Sequence, residues 1–364
     1  MASIPPLEQV RVDIRAIERE LTAIWKSVAD GRDDARAAVT RTCVLNLLVL
    51  SFQGMKGIDP ATAIIDRLTS QHPNRAIVIG VNEGASEPLL DAWVQAHCQM
   101  PAPGRPQVCC EQITIEARGA LDAGQISGLV LPLLVPDLPV MLWLPEGAAL
   151  DHELTRRVRG FADRVIVDTA SFTDPLAALR QISALSDEHV EISDLTWGRL
   201  TAWRELVAQL FDAHDHQAYL AKVERMTIDY LAGDATAHAQ ALLLAGWFAS
   251  RLHWQYIGHT AADTIQMEHG DRPVGIELRP RPDAAAPVAG IEIFCTRGRF
   301  GVICDAAPDR AIATVDISGR RQVRQTARLD LFDNADLLAH ELRLLGHDTT
   351  YNDALHLAVA MLHP

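Results

Sequence analysis

The sequence predicts an α/β protein of two domains. Residues 1–190 read as an N-terminal mixed α/β sheet domain with helices on both faces, and residues 191–364 as a C-terminal α+β domain with an antiparallel meander. Three observations carry this. The chain has 364 residues, and at roughly 100–200 residues per domain that length suggests two. Up to about residue 187, apolar runs of strand length alternate with helical ones, as in a sheet covered by helices. From Asp194 the order changes, and two long helical stretches give way to a series of short strands.

Apolar residues make up 48% of the chain and charged ones 22%, enough to bury a core and exclude a disordered chain. The most apolar stretch, Gly128 to Leu144, holds Asp137, Pro132, Pro136 and Pro139, which a lipid-exposed helix accommodates poorly. The first twenty residues lack the basic start and apolar run of a secretory signal, so a cytoplasmic protein without a membrane is expected. A formal net charge of −14 argues against nucleic acid as a partner. Charge is uneven, however: residues 272–328 hold ten Arg against six Asp or Glu, and the only lysines are Lys26, Lys56 and Lys222.

Taking the elements in order, apolar residues at Leu7, Val10, Ile14, Ile17, Leu21, Ile24 and Val28 step by three and four, which gives an amphipathic helix with a narrow seam. That seam faces its own domain in the plainer reading and another subunit in the sharper one. Strands are expected at 42–51 and 76–82, with a helix at 60–71 between them. Leu90 to Met100 is apolar at every even position, the period of a half-buried strand, and forms a hairpin with Val108 to Ala117. Then follow a helix near 125–135, a strand at 140–144, a helix at 151–161, a strand at 164–168, and a helix that Asp174 caps ahead of Pro175. The second domain reads as helices at 197–211 and 235–254 around a strand near 226–230. Strands at 274–278, 291–296, 300–304, 311–317 and 322–329 come next, and helices at 334–346 and 351–362 close the chain.

The common catalytic signatures are absent. There is no G-x-x-x-x-G-K-[ST], no G-x-G-x-x-G after a strand, no H-E-x-x-H and no G-x-S-x-G, so neither a catalytic residue, a cofactor nor a metal is assigned. Asp212, His214, Asp215 and His216 contain ligand types, but a solvated helix end explains them. Asp168, Thr169 and Ser171 follow an apolar strand, where open α/β sheets hold ligands. Six cysteines at 43, 98, 109, 110, 295 and 304 show no C-x-x-C pair and suggest no disulfide framework. If residue 297 pairs with 302 across a hairpin, Cys295 faces Cys304 as a possible redox pair, though two buried thiols are the plainer reading. In the strand 322–329, alternation puts Arg324 and Arg328 on one face and Val323, Ala327 and Leu329 on the other. With Arg320 and Arg321 this makes a candidate partner-binding surface, since guanidinium forks suit carboxylates and phosphates; a solvated face is the alternative.

Seven strings then carry a resemblance. RTCVLNLLVL (41–50), HPNRAIVI (72–79), CCEQITIEARG (109–119), LPLLVPDLPVMLWLP (131–145), ADRVIVDTASF (162–172), DLTWGRLTAWRELVAQLFD (194–212) and LLLAGWFASRLHW (242–254) occur in the order of the glucose-6-phosphate dehydrogenase assembly protein family, OpcA. ADLLAHELRLLGHD (335–348) extends the match more loosely. The resemblance implies a non-catalytic partner that binds glucose-6-phosphate dehydrogenase, aids its oligomerisation and raises its activity. The resemblance also implies thioredoxin-dependent redox control through cysteines in cyanobacterial relatives, and the motifs carry no such role over to Cys295 or Cys304. The competing reading is a sugar-phosphate-binding enzyme or sensor that uses the loop after Asp168.

Overall fold

The computed structural model describes residues 14–30, 39–99, 107–147, 150–187, 190–261, 264–305, 309–329, 332–344 and 346–362. The chain forms two compact units, Met1–Asp168 with Asn334–Arg343 and Thr169–Asp333 with Leu344–Pro364. The first is mixed α/β and the second sets helices against a largely antiparallel sheet, as the sequence predicts.

The first unit is built on β1 (Val39–Arg41), β2 (Leu45–Ser51), β3 (Asn74–Asn82), β4 (Leu89–Gln99), β5 (Gln107–Arg118), β6 (Val140–Trp143) and β7 (Arg164–Val167). Their order is β1-β5-β3-β2-β6-β7, with β4 antiparallel on β5. The other neighbours are parallel. Every residue of β2, β6 and β7 is buried, which is why these strands read as unbroken apolar runs. Helices α1 (Ile14–Asp30), α2 (Met55–Leu68), α3 (Ala123–Val130) and α4 (Glu153–Arg159) complete this stretch. α2 begins before Pro60, which lies inside it.

The seam of α1 serves its own unit. α1 packs on β4, Ile17 and Leu21 are buried, and the Trp25 indole Nε1 donates to Glu111 Oε2 at 2.8 Å. Leu7 and Val10, and the side chains of Ile24 and Val28, lie outside the described residues. Below the helix, Arg75 and Glu111 form a buried ion pair, and Arg75 Nη1 also donates to Leu133 O at 2.9 Å. The expected hairpin is present, and its register sets Cys98 opposite Cys109, which form a disulfide. The spacing of the cysteines alone gave no sign of it, whereas the pairing of the two strands would have. The predicted polar face of β4 is also partly covered: His97 is buried and meets Asp66 of α2 at 3.2 Å and Gln112 at 3.0 Å.

The second unit opens with α5 (Pro175–Asp187), which packs on two later helices rather than on the first sheet, so the contacts divide the chain ahead of residue 190. β8 (Ile192–Asp194), α6 (Leu195–Arg199), α7 (Thr201–Gln209) and α8 (His214–Leu220) follow, then β9 (Val223–Leu231) and α9 (Ala235–Arg251). The strands β10 (Gln255–Ala261), β11 (Thr264–His269), β12 (Arg272–Arg281), β13 (Val288–Cys295), β14 (Gly298–Cys304), β15 (Arg310–Ile317) and β16 (Arg320–Arg328) form a sheet with β9 inserted, in the order β10-β11-β12-β9-β13-β14-β15-β16. Only the β12–β9 pair is parallel, so the predicted meander is split into two wings around β9.

α10 (Asn334–Glu341) belongs to the first unit and packs on α2, while α11 (Thr349–Met361) packs on α5 and α9. α7, α9 and α11 contact strands of the second sheet. Inward residues such as Met226, Ile228, Ile276, Ile293, Phe300 and Val302 form its core. The opposite face is ionic. Arg225 pairs with Glu277 at 3.2 Å and Arg279 with Asp229 at 2.6 Å, and Arg299 pairs with Glu292.

Candidate functional site

In an open parallel sheet, ligands bind beyond the carboxyl ends of the strands where the strand order reverses. Here β2 has β3 on one side and β6 on the other, so the reversal lies past β2. The loop Phe52-Gln53-Gly54-Met55-Lys56-Gly57 stands there and opens α2. It keeps the second and third glycines of a G-x-G-x-x-G spacing, with Phe52 in the place of the first. Gly54 has φ 58°, and a Cβ on Gly57 would sit 1.8 Å from Ser51 Oγ, so both glycines are required by the local packing.

Protein groups occupy the part of this crevice beside α2. Ser51 Oγ donates to Glu146 Oε1 at 2.9 Å, and Glu146, which follows β6, lies beside the first turn of α2. Its Oε2 is buried without a hydrogen-bond partner. Burial pushes the Glu146 carboxyl above the ordinary value of 4.5, more strongly than the hydrogen bond from Ser51 lowers it. Ionising this group therefore costs folding stability as pH rises through its raised value, and the cost vanishes in acid, where folded and unfolded chains are both protonated. Glu146→Gln keeps an acceptor for Ser51 and removes the charge. The variant should melt above the wild type at neutral pH, with a gap that closes as pH falls toward 4.5; a gap independent of pH would contradict this assignment.

A cleft of about 670 Å³ adjoins the loop, lined by Phe52, Lys56, Asn82, Glu116 and Arg118 among others. Arg118 is held by Glu116 at 2.8 and 3.0 Å. Lys56 is exposed and, among the described residues, in no ion pair.

The loop after Asp168 is tied up differently. Thr169 donates to Asp194 through its backbone N at 2.9 Å and through its hydroxyl. Asp194 also accepts from Thr196 N at 2.9 Å and caps α6, while Ala170 N donates to Thr196 Oγ1 at 3.1 Å. Thr169 and Ala170 are thus tied to the first turn of α6. In the Asp212–His216 segment, His216 is buried and its Nδ1 donates to Leu210 O at 2.7 Å. Asp212, His214 and Asp215 are exposed, and no group of three or more His, Cys, Asp or Glu among the described residues is placed to hold a metal.

Cys295 and Cys304 are not brought together. The hairpin turns tightly at Thr296-Arg297, so Cys295 pairs with Gly298 while Cys304 lies one residue beyond the Gly290–Ile303 pair. The expected register placed the turn too late along the chain. Both thiols are free; burial pushes Cys295 up to about 12 and Cys304 up to about 11, so neither is a ready nucleophile.

Of the candidate arginines, Arg320 and Arg328 are exposed on β16, the outermost strand. Arg328 pairs with Asp309 at 3.2 Å. The side chains of Arg321 and Arg324 lie outside the described residues. The backbone register contains a bulge: Ala313 pairs with Gln325 and Thr314 with Val323, leaving Arg324 as the extra residue. A bulge breaks the period of two, so the simple alternation expected along 322–329 does not run through Arg324.

Residues 65–184 match the glucose-6-phosphate dehydrogenase subunit N-terminal domain and residues 190–355 the corresponding C-terminal domain. A protein from Synechocystis sp. named for the OxPP cycle and OpcA is 28% identical over 319 residues, covering 83% of this chain and 66% of that protein. One of the same name from Nostoc punctiforme is 34% identical over 209 residues, 57% of this chain and 43% of that protein. The chain thus spans less than two thirds of the length of either relative. Among solved structures, the transcriptional regulator Gal80p of Kluyveromyces lactis covers 93% of this chain and 95% of its own at 9% identity, with a TM-score of 0.50, a likeness of fold alone. With both domain models matched in succession along most of its length, the chain belongs to the OpcA glucose-6-phosphate dehydrogenase assembly family.

Proposed function

We propose that this protein is a non-catalytic cytoplasmic assembly factor and allosteric activator that binds glucose-6-phosphate dehydrogenase and promotes its active oligomer in the oxidative pentose phosphate pathway. The succession of two domains described as parts of a dehydrogenase subunit carries this reading. Two features of the site support it. Ser51 and Glu146 occupy the part of the crevice beside α2 where a sheet of this kind receives a ligand, and Thr169 in the loop after Asp168 donates to Asp194, which caps α6. Exposed arginines on β16 supply a surface for carboxylates of another polypeptide, and Arg320, Arg321, Arg324 and Arg328 are proposed as part of it.

An activator of this kind acts by binding the active arrangement of its partner better than the inactive one. A tenfold shift requires only about 1.4 kcal/mol of differential binding. Mixing the protein with the dehydrogenase and following elution by size tests the first step. Co-elution in a larger species is expected; separate elution at concentrations that saturate the enzyme's activity assay would count against the proposal.

A further inference from the structure

The sheet of the second unit buries one face and leaves the other accessible. Met226, Ile293 and Phe300 turn inward, while the register lines up Glu277 on β12, Thr227 on β9, Glu292 on β13, Gly301 on β14 and Thr314 on β15 across the outward face. The charges of this face lie flat and in both signs. Arg225 pairs with Glu277 at 3.2 Å, Arg279 and Arg281 converge on Asp229 at 2.6 and 3.0 Å, and Arg279 and Arg299 share Glu292. The side chains of Asp229 and Glu292 are 16% and 13% exposed and those of the four arginines 34% to 53%, so guanidinium groups roof the carboxylates. Arg225 and Arg299 also lie over the Phe294 ring, at 4.1 and 5.1 Å. On the same face Ile303 and Ile312, cross-strand partners on β14 and β15, are half-buried. None of these strands holds a lysine. Arginine and aromatic groups without lysine characterise the core of an interface more than a solvated surface.

Glycines mark the face as well. Gly275 and Gly301 lie inside β12 and β14 on the outward side of the register. Neither has a positive φ and neither falls at a register shift. A Cβ on either would meet nothing nearer than 3.5 Å, which is ordinary contact. The chain's own packing therefore does not call for glycine at these positions, although glycine weakens a strand. In a strand interior such a residue marks the close approach of another backbone.

We propose that this face docks on the same face of a second copy of the chain, giving a two-fold dimer of sheet on sheet. Charge selects the occupant. Two copies, each of net charge −14, repel where their acidic surfaces meet, whereas this face sets its arginines against carboxylates. Under a two-fold axis the mixed pattern of one copy meets its own reverse. Size agrees with this. Eight strands about 4.8 Å apart and roughly 25 Å long make a face of roughly 850 Å², close to the ~800 Å² that each partner buries in a stable interface. Twisted sheets pack face to face in this way, with strand directions about 30° apart. The proposal does not depend on the dehydrogenase reading, which concerns a different partner.

Light scattering on the full chain at about 50 μM, above the micromolar limit usual for interfaces of this area, should give twice the mass of one chain. Gly301→Arg and Gly275→Arg each bring a bulky cation into the contact twice over. Each should weaken the dimer at least about a hundredfold, because the added charges oppose arginines across the axis, with the circular dichroism spectrum unchanged. Where Gly301→Arg does not fold, Gly275→Arg decides, since the nearest group to a Cβ there is the movable Gln266 amide at 4.0 Å. A wild type that stays monomeric at this concentration overturns the proposal, as does a dimer that survives both substitutions. If the wild type is monomeric alone and the substitutions abolish its co-elution with the dehydrogenase, the face belongs to that enzyme and the second copy is ruled out. Failure to co-elute with the dehydrogenase while the dimer persists removes the dehydrogenase reading and leaves this proposal standing.

Discussion

Gly246→Ala is expected to lower the melting temperature by roughly 6–12 °C. Gly246 lies within α9, where this helix meets α11, and a Cβ placed on it would come 2.1 Å from the carbonyl oxygen of Ala354 and 3.0 Å from Ala358 N. These are backbone atoms, so no side-chain rotation relieves the overlap and one helix must move. α9 is buried over most of its length and packs on α11, α5 and strands β9, β12 and β13, so the shift propagates into the core of the second unit. Overpacking typically costs about 1–3 kcal/mol, and the upper end applies where backbone is struck. At about 2–4 °C per kcal/mol for domains of this size, the loss is readily measured by circular dichroism. A shift of under about 1 °C would show that the helices are not in such close contact.

Arg75→Met is expected to cost ~3–5 kcal/mol, since removal of one partner leaves the other charge buried. Arg75 and Glu111 are each less than a tenth exposed, and α1 covers them through Trp25. The double variant Arg75→Met with Glu111→Leu should recover most of the loss, because two apolar groups of similar volume satisfy the same space without a stranded charge. Urea unfolding of the two single variants and the double variant forms a cycle that measures this coupling. A double variant as unstable as the sum of its parts would mean that the ion pair itself is not what the site requires.

The parallel strands were legible because β2, β6 and β7 are buried on both faces and so carry uninterrupted apolar runs. Wherever the period of two is broken, the sequence misled. β10 and β11 were not anticipated, as β10 contains Gly258 at φ 148° and shifts register at two points, so its alternation never develops. The bulge at Arg324 did the same on β16. The turn at Thr296-Arg297 uses an arginine where glycine is the usual signal, and for that reason the hairpin was placed too late and Cys295 set against the wrong residue. The helical stretch at 197–211 is broken at Leu200 into α6 and α7, with neither proline nor a run of polar residues to mark it.

Of the site, the pairing of Ser51 with Glu146 spans 95 positions and no local pattern announces it. The loop that opens α2 was legible in principle, because F-Q-G-M-K-G follows an apolar strand with two glycines at the fingerprint's spacing.

An assembly factor of this kind should change the behaviour of a second polypeptide. Steady-state kinetics of the dehydrogenase, titrated with the protein while oligomer size is followed by light scattering, addresses it most directly. A saturable rise in rate or fall in substrate requirement is expected, at a fixed ratio of the two chains and alongside growth in particle size. Unchanged kinetics at saturating concentration, or turnover of glucose 6-phosphate by this chain alone, would contradict it.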